Sequence, residues 1–208
     1  MINLDTRGGL IKRLCDIEWA LYDKLNSAGG QPSDQEDAVF FKKMRACQLE
    51  SWSRQLLDSY RGDLERAVAE QRNPLWEKYA FMTEKAQPEQ FAKVSKYLPQ
   101  VNEEALSLIA EICDVQMAWE KEVNAQYPRM RAQVNPAASD DAASASSSSR
   151  NYLECELKTY SLATLRLYCD YIRACSACRR NLAREVAEKI AEAYGYASLE
   201  DAEKNMQL

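Results

Sequence analysis

Apolar residues recur at helical spacing along almost the whole chain, and no stretch shows the strict alternation that predicts a β-strand. One stripe shows the pattern well, because its apolar residues follow one another at spacings of three or four. Its members are Leu49, Trp52, Leu56, Tyr60, Leu64 and Ala67. The sequence therefore predicts an all-α fold, a bundle of several helices, and its 208 residues suit a single domain.

Local signals predict where these helices begin and end. A small polar residue before an apolar run predicts an N-cap, Pro is favoured in the first turn, and Gly follows the last turn. Such signals occur at Ser33 with Glu36, Asn73 with Pro74, Pro88, Asn102, Ser198 with Asp201 and, as a stop, Gly195. The predicted helices span about 8–27, 35–70, 74–86, 88–96, 102–130, 150–178, 180–194 and 198–206.

A low-complexity segment, residues 135–149, interrupts the helical pattern with six Ser and five Ala. This composition predicts a flexible surface loop. The segment divides the chain into helical groups 1–134 and 150–208. Because the second group is short for an independent core, we expect it to pack back on the first within one domain.

The absence of histidine restricts the chemistry of the chain. It excludes a histidine general base and Ser-His or Cys-His nucleophile pairs, and it removes histidine-ligated zinc or iron. Glycine-rich nucleotide-binding loops and the nucleophile elbow of hydrolases are also absent from the sequence. The sequence thus predicts no metal site, and it leaves any cofactor and any catalytic residue unspecified.

Charge and cysteine content bear on partners and compartment. The net charge is −5 and no segment is strongly basic, so we expect no nucleic-acid partner. No stretch approaches the ~18 apolar residues that a membrane span requires, and the first ten residues do not resemble a signal peptide. Seven cysteines, an odd number, are typical of free thiols in a reducing compartment. We therefore expect a cytoplasmic protein that makes no membrane contact.

Two cysteines, Cys175 and Cys178, form a C-x-x-C pair near the predicted end of a helix. A zinc site would need a second such pair or histidines, and a redox pair would stand at the start of a helix. Two buried thiols that pack as small apolar side chains are the simpler interpretation.

Charged residues also lie on the predicted buried faces. Arg45 and Gln48 extend the stripe of the second helix by one turn, and Asp63 flanks its far end. On a later, tyrosine-rich helix, Glu156 precedes Tyr160 by four residues, so carboxylate and phenol can meet. A buried charge must be paired. A structural ion pair inside the bundle and a ligand site are therefore both open interpretations.

Several short motifs occur in order along the chain. They are Met44-Arg45 with Gln48 and Trp52-Ser53; Ser59-Tyr60-x-x-Asp63-Leu64; Arg72-Asn73-Pro74-Leu75-Trp76-Glu77-Lys78-Tyr79-Ala80; Gln116-x-x-Trp119 with Tyr127-Pro128; Tyr152-Leu153-x-x-Glu156-Leu157-x-Thr159-Tyr160-Ser161; and Tyr194-Gly195-Tyr196-x-Ser198-Leu199-Glu200. Over about residues 10–204 this series resembles the bacterial family known as domain of unknown function 4125. The resemblance implies a small helical protein with no assigned reaction.

Polar residues of these motifs make up the predicted site, a polar cluster between the helices at 36–70, 74–86 and 150–178. They are Arg45, Gln48, Asp63, Arg72, Glu77, Lys78, Tyr79, Glu156 and Tyr160. The first hypothesis is a module that binds a small anionic ligand or a protein partner. One alternative is an enzyme in which Glu77 or Glu156 acts as acid or base. Lys78 or Arg45 would then hold its anionic substrate. Another alternative is a structural homo-oligomer that assembles through the tyrosine face.

Overall fold

The computed structural model describes residues 6–29, 33–130 and 142–205, except the side chains of 142–148. These residues form helices joined by short turns, and no strand occurs among them, so the all-α prediction is confirmed. The helices are α1 (Arg7–Ala28), α2 (Gln35–Leu49), α3 (Arg54–Ala69), α4 (Pro74–Ala86), α5 (Pro88–Val94) with a 3₁₀ turn (Ser95–Tyr97), α6 (Glu103–Gln126), α7 (Ala142–Leu157), α8 (Leu162–Ala177), α9 (Leu182–Ala193) and α10 (Leu199–Asn205).

Several of these helices begin with a side-chain cap at the residue where the sequence predicts one. The Asn73 side chain accepts hydrogen bonds from the first free N–H groups of α4, and Asn102 does the same for α6. The Ser198 hydroxyl accepts from an N–H of α10. Gly195 follows α9 with a φ of 89°, a conformation that glycine adopts without steric cost.

The predicted cap of α2 is wrong by one residue. The Asp34 carboxylate accepts from the Asp37 N–H at 2.8 Å, and the Asp37 carboxylate accepts from the Asp34 N–H at 3.2 Å. These two bonds form the capping box that was expected from Ser33 and Glu36. The Ser33 hydroxyl instead accepts a hydrogen bond from the Asn26 side chain, which lies near the end of α1.

The predicted continuous helix over 35–70 is also wrong, because the chain breaks between Leu49 and Arg54. The Ser51 hydroxyl donates to the Gln48 carbonyl, and the Ser53 hydroxyl accepts from the Leu56 N–H in the first turn of α3. Serine side chains that bond to the backbone in this way compete with helix continuation. The apolar stripe therefore bends into two helices, and all its members remain buried.

The predicted helix over 150–178 is divided as well, at residues 158–161. Here the Thr159 hydroxyl donates to the Glu156 carbonyl, and Ser161 caps α8. The helix before this turn starts earlier than predicted, since α7 includes 142–149 of the segment expected to be a loop. Alanine favours helix and this part contains no Gly or Pro to interrupt it. Residues 135–141 lie outside the described residues.

The predicted helix over 102–130 ends at Gln126. Tyr127 leaves the helix with φ −131° and ψ 66° because Pro128 follows it, and proline disfavours the α conformation of the preceding residue. Residues 128–130 are helical again. On α10, the Glu203 carboxylate accepts from the N–H groups of Arg129 and Met130 at 3.0 and 3.1 Å. This contact fixes the C-terminal helix to the start of that turn.

The main hydrophobic core contains buried residues from both sides of the segment 131–141. Leu14 of α1, Leu57 of α3 and Ile112 of α6 pack together with Leu157 and Ile172 of the later helices. A second, smaller core joins α2, α6, α9 and α10. Most of these helices bury one apolar face against their neighbours, which is the main source of stability in such bundles. None of the described helices is long and apolar enough to cross a bilayer.

Candidate functional site

Arg45 of α2 and Glu18 of α1 form an ion pair inside the bundle. The guanidinium donates from Nε to Oε2 at 2.8 Å and from Nη2 to Oε1 at 2.8 Å. Two parallel bonds of this kind are stronger and more directional than a single contact. Only 4% of the Glu18 side chain is exposed, so Arg45 neutralises an otherwise isolated buried charge.

A second carboxylate, Glu156 of α7, lies on the other side of Arg45. Its Oε1 accepts from Arg45 Nη2 at 3.2 Å and from the Tyr160 hydroxyl at 2.9 Å. Its Oε2 accepts from Lys78 Nζ of α4 at 3.0 Å. Burial opposes ionisation of Glu156, but Lys78 and Arg45 outweigh this effect and lower the pKa of the carboxyl to about 2. Glu156 is therefore ionised at neutral pH.

These four groups, Glu18, Arg45, Lys78 and Glu156, are called the charge cluster below. It contains two cations and two carboxylates, so its formal charge is balanced. It joins four helices, α1, α2, α4 and α7, which are distant in sequence. Burial alone would lower the pKa of Lys78, but the Glu156 carboxylate raises it above its ordinary value. The pairing thus favours the charged forms of Lys78 and Glu156.

The inner side of the charge cluster is covered by four buried rings, called the aromatic floor: Trp52, Tyr60, Tyr160 and Tyr168. Trp52 lies 5.4 Å from Tyr60 and 5.0 Å from Tyr168 between ring centroids, and Tyr60 lies 4.8 Å from Tyr160. The Tyr60 hydroxyl donates to Glu18 Oε1 at 2.5 Å, and Tyr168 accepts from Gln116 at 2.9 Å. Burial and the nearby carboxylates raise the pKa of Tyr60 and of Tyr160, so both stay protonated as donors.

The four helices of the charge cluster also carry five rings that are half-buried or exposed, called the aromatic rim: Trp19, Tyr22, Phe41, Tyr79 and Tyr152. Trp19, Tyr22 and Phe41 contact one another with centroid distances of 5.3–5.6 Å. Lys78 Nζ lies 3.4 Å from the centroid of Tyr152 and 6.0 Å from that of Tyr79. The charge cluster therefore contacts two rings of the aromatic rim through Lys78.

The structure brings together five of the nine predicted site residues in direct polar contact: Arg45, Gln48, Lys78, Glu156 and Tyr160. Tyr79 borders this group through its contact with Lys78. The other three lie elsewhere. Asp63 accepts a hydrogen bond from the Ser161 N–H at 3.0 Å, which ties α3 to the turn before α8.

Arg72 and Glu77 form a separate pair at the start of α4. Arg72 donates from Nε and Nη2 to the two oxygens of Glu77 at 2.7 and 2.8 Å. The Glu77 side chain is buried, and Arg72 makes its second ion pair with Glu70 rather than with the charge cluster. This pair holds the first turn of α4 and gives Glu77 a structural partner.

Two residues of the site were missing from the predicted set, Glu18 and Tyr60. Tyr60 had been assigned to the apolar stripe, although its hydroxyl makes the short bond to Glu18. Glu18 lies four residues after Leu14 and three before Leu21, which are both buried. A carboxylate at that helical register points into the core, and this signal could have identified it.

The structure bears on the expectations about acid–base, thiol and metal chemistry. An acid or base at Glu156 would need a raised pKa, whereas its pKa is lowered to about 2. The prediction that Cys175 and Cys178 are both buried is wrong for Cys178, which is exposed at the end of α8. Within the described residues, no three or more Cys, Asp and Glu side chains are grouped as metal ligands.

Comparison with known proteins supplies a family and no activity. The family model described as a protein of unknown function, DUF4125, matches residues 8–204. The chain therefore belongs to this family. No curated protein and no solved structure matches it significantly.

Proposed function

We propose that this member of the DUF4125 family is a binding module that holds a small anionic ligand at its charge cluster. The observation that supports this most is the position of Glu156, which bridges Arg45 and Lys78 with one oxygen on each cation. A carboxylate or phosphate of a ligand presents oxygens at a similar spacing. Two cations that are already arranged around one oxyanion suit a second one.

Exposure distinguishes the two carboxylates of the charge cluster. The Glu156 side chain is 18% exposed, against 4% for Glu18. Glu156 is therefore the wall of the cluster that a ligand reaches from solvent, and Glu18 is the inner support that orients Arg45. Such support keeps a guanidinium in one geometry before a ligand arrives.

Donors also exceed acceptors at the outer side of the cluster. Arg45 Nη1 donates to the exposed Gln48 side chain at 2.8 Å. Three donor groups lie at this outer side: the second hydrogen of Arg45 Nη1, the amide of Gln48 and the ammonium of Lys78. A ligand that supplies acceptor oxygens is therefore favoured at the charge cluster.

The same groups give little support to acid–base catalysis, because a carboxylate with a pKa of about 2 is a weak base and stays ionised. The proposal therefore assigns binding to the cluster.

We place this module in the cytoplasm as a single domain, which agrees with seven free cysteines and with cores shared by early and late helices. The acidic net charge favours neither a nucleic-acid nor a membrane partner.

An NMR titration with inorganic phosphate tests the proposal, using the Arg45 Nε–H resonance as a probe inside the site. Lys78→Gln removes one cation and should weaken phosphate binding roughly fivefold or more. Glu156→Gln removes the competing carboxylate and should strengthen binding by a similar factor. Native mass spectrometry of the purified protein would additionally report any small molecule that it retains.

The opposite effects of the two variants on phosphate affinity separate binding from a structural role, since a cluster that is structural only would show no phosphate affinity for either change to alter. Lys158→Gln is the matched control, because Lys158 is a partly buried lysine paired with Glu84 and Glu154 away from the cluster. It should leave phosphate binding unchanged. No shift of the Arg45 resonance in the native protein and in Glu156→Gln would overturn the proposal.

A further inference from the structure

We infer that the ligand carries a planar aromatic ring next to its acidic group, and that the aromatic rim stacks on this ring. The inference rests on the proposed function, since it assumes an anionic ligand at the charge cluster. It adds the chemical class of that ligand. The evidence is the regular relation between each charged residue and a ring of the rim.

Three charged residues on three helices each have an aromatic residue one helical turn away. Tyr22 follows Glu18 by four residues on α1, Phe41 precedes Arg45 by four on α2, and Tyr152 precedes Glu156 by four on α7. Four residues of an α-helix advance about 6 Å and return to nearly the same face. These paired positions therefore form two layers, one charged and one aromatic, about 6 Å apart.

Ring contacts connect the aromatic layer across helices in two groups. Tyr22 and Phe41 stack with an interplanar angle of 22° and a centroid distance of 5.3 Å, which joins α1 to α2. Tyr79 and Tyr152 both flank the Lys78 ammonium, which joins α4 to α7. Burial raises the pKa of Tyr79, and the neighbouring phenols of Tyr152 and Tyr22 contribute in the same direction. The rings of α1, α4 and α7 thus lie near one another.

Two rings of this layer remain open to solvent. Tyr79 is 40% exposed and Tyr152 is 44% exposed, whereas the rings of the aromatic floor are buried. Lys78 lies over one face of Tyr152, so a ligand ring would stack on the outer face. Tyrosines presented in this way offer large contact area at low conformational cost. A ring held there would be about one helical turn from the cations that hold its acidic group.

Isothermal titration calorimetry with phenyl phosphate, inorganic phosphate and benzyl alcohol tests the inference on the full chain. These probes carry both groups, the anion alone and the ring alone. We expect phenyl phosphate to bind roughly tenfold more tightly than inorganic phosphate, and benzyl alcohol to bind most weakly. Tyr152→Leu and, separately, Tyr79→Leu should remove this preference, measured in each variant as the ratio of its affinities for phenyl phosphate and inorganic phosphate. Tyr97→Leu is the matched control, because Tyr97 is an exposed tyrosine outside the rim.

The outcomes distinguish this inference from the proposed function. Equal affinities for phenyl phosphate and inorganic phosphate would overturn the aromatic class and leave an anion-binding module. A preference for phenyl phosphate that survives both rim substitutions would also overturn it, because the ring would then bind elsewhere. Failure of both phosphate probes to bind would overturn the inference together with the proposed function.

Discussion

The Arg45 guanidinium and the Glu18 carboxylate are joined by two hydrogen bonds of 2.8 Å, from Nε to Oε2 and from Nη2 to Oε1. This contact links α1 to α2 across 27 residues of sequence. Both groups are largely removed from water, so each depends on the other for its charge to be compensated. The remaining contacts of the charge cluster extend from this pair.

Removing either member of the pair should destabilise the protein strongly, because the other charge would stay buried without its partner. We expect Arg45→Met and Glu18→Gln each to lower the free energy of unfolding by about 3–5 kcal/mol, measured by chemical denaturation. Lys12→Gln removes an exposed ion pair with Asp16 and should cost less than about 1 kcal/mol. Similar losses in all three variants would contradict a special contribution from the buried pair.

Stability should fall at acid pH because the pKa of Glu156 is lowered from 4.5 to about 2 on folding. A carboxyl whose pKa is lower in the folded than in the unfolded state stabilises the folded state at pH values above its unfolded-state pKa. This stabilisation is lost as the pH falls through the folded-state pKa. Glu156 should therefore lose its contribution, on the order of 2–3 kcal/mol, between about pH 5 and pH 2. Glu156→Gln should flatten the pH dependence of the unfolding free energy in this window.

The control for this pH prediction is Glu104→Gln, which removes an exposed carboxylate paired with Arg166 on the surface. The decisive comparison is the difference in unfolding free energy between native protein and variant at several pH values. A Glu156→Gln profile parallel to that of the native protein would show that Glu156 is not the group responsible.

The Tyr60 hydroxyl should contribute to stability through its 2.5 Å hydrogen bond to Glu18. Tyr60→Phe keeps the ring against Trp52 and removes the hydroxyl, which also accepts from Arg45 Nη2 at 3.4 Å. We expect a loss of about 1.5–3 kcal/mol, the range for hydrogen bonds to charged groups. Tyr97→Phe, at an exposed position, should change stability by less than about 0.5 kcal/mol in the same denaturation experiment. Equal stabilities of the two variants would refute the assignment.

Cys178 should react first among the seven cysteines, because it is exposed and the other six are buried. Burial raises the pKa of Cys15 to about 12 and those of Cys113 and Cys169 to about 11, so little thiolate forms at pH 8. Titration with a chromogenic disulfide under native conditions should show one rapid equivalent. This phase should disappear in Cys178→Ser; its persistence there would mean that a buried thiol becomes accessible.

The presence and the starts of these helices could be predicted from local chemistry, as the caps at Asn73 and Asn102 illustrate. Apolar periodicity also predicted that Leu56 and Leu64 are core residues, and both are fully buried or nearly so. The interruptions at Ser53 and Ser161 were not predicted. Each serine is also compatible with a helix interior, and its choice of a capping conformation depends on how the flanking helices pack.

The membership of the site could be predicted only in part. Arg45 and Glu156 were both selected from the sequence, and the i, i+4 contact between Glu156 and Tyr160 was anticipated because it is local. The contact between Arg45 and Glu156 spans 111 residues, so nothing in the local pattern indicates it. Asp63 and Glu77 were predicted as members of the polar cluster because they lie in the sequence motifs. Each carboxylate instead accepts hydrogen bonds from a group outside the charge cluster.

Local sequence is enough to specify that this chain is helical, where most helices begin and which faces are apolar, because these properties depend on residues within a few turns of one another. The meeting of Glu18, Arg45, Lys78 and Glu156 depends instead on how distant helices pack. Their four helices pack together because each must bury its apolar face. That packing brings the charges out of water, where pairing becomes obligatory and a chemically defined site results.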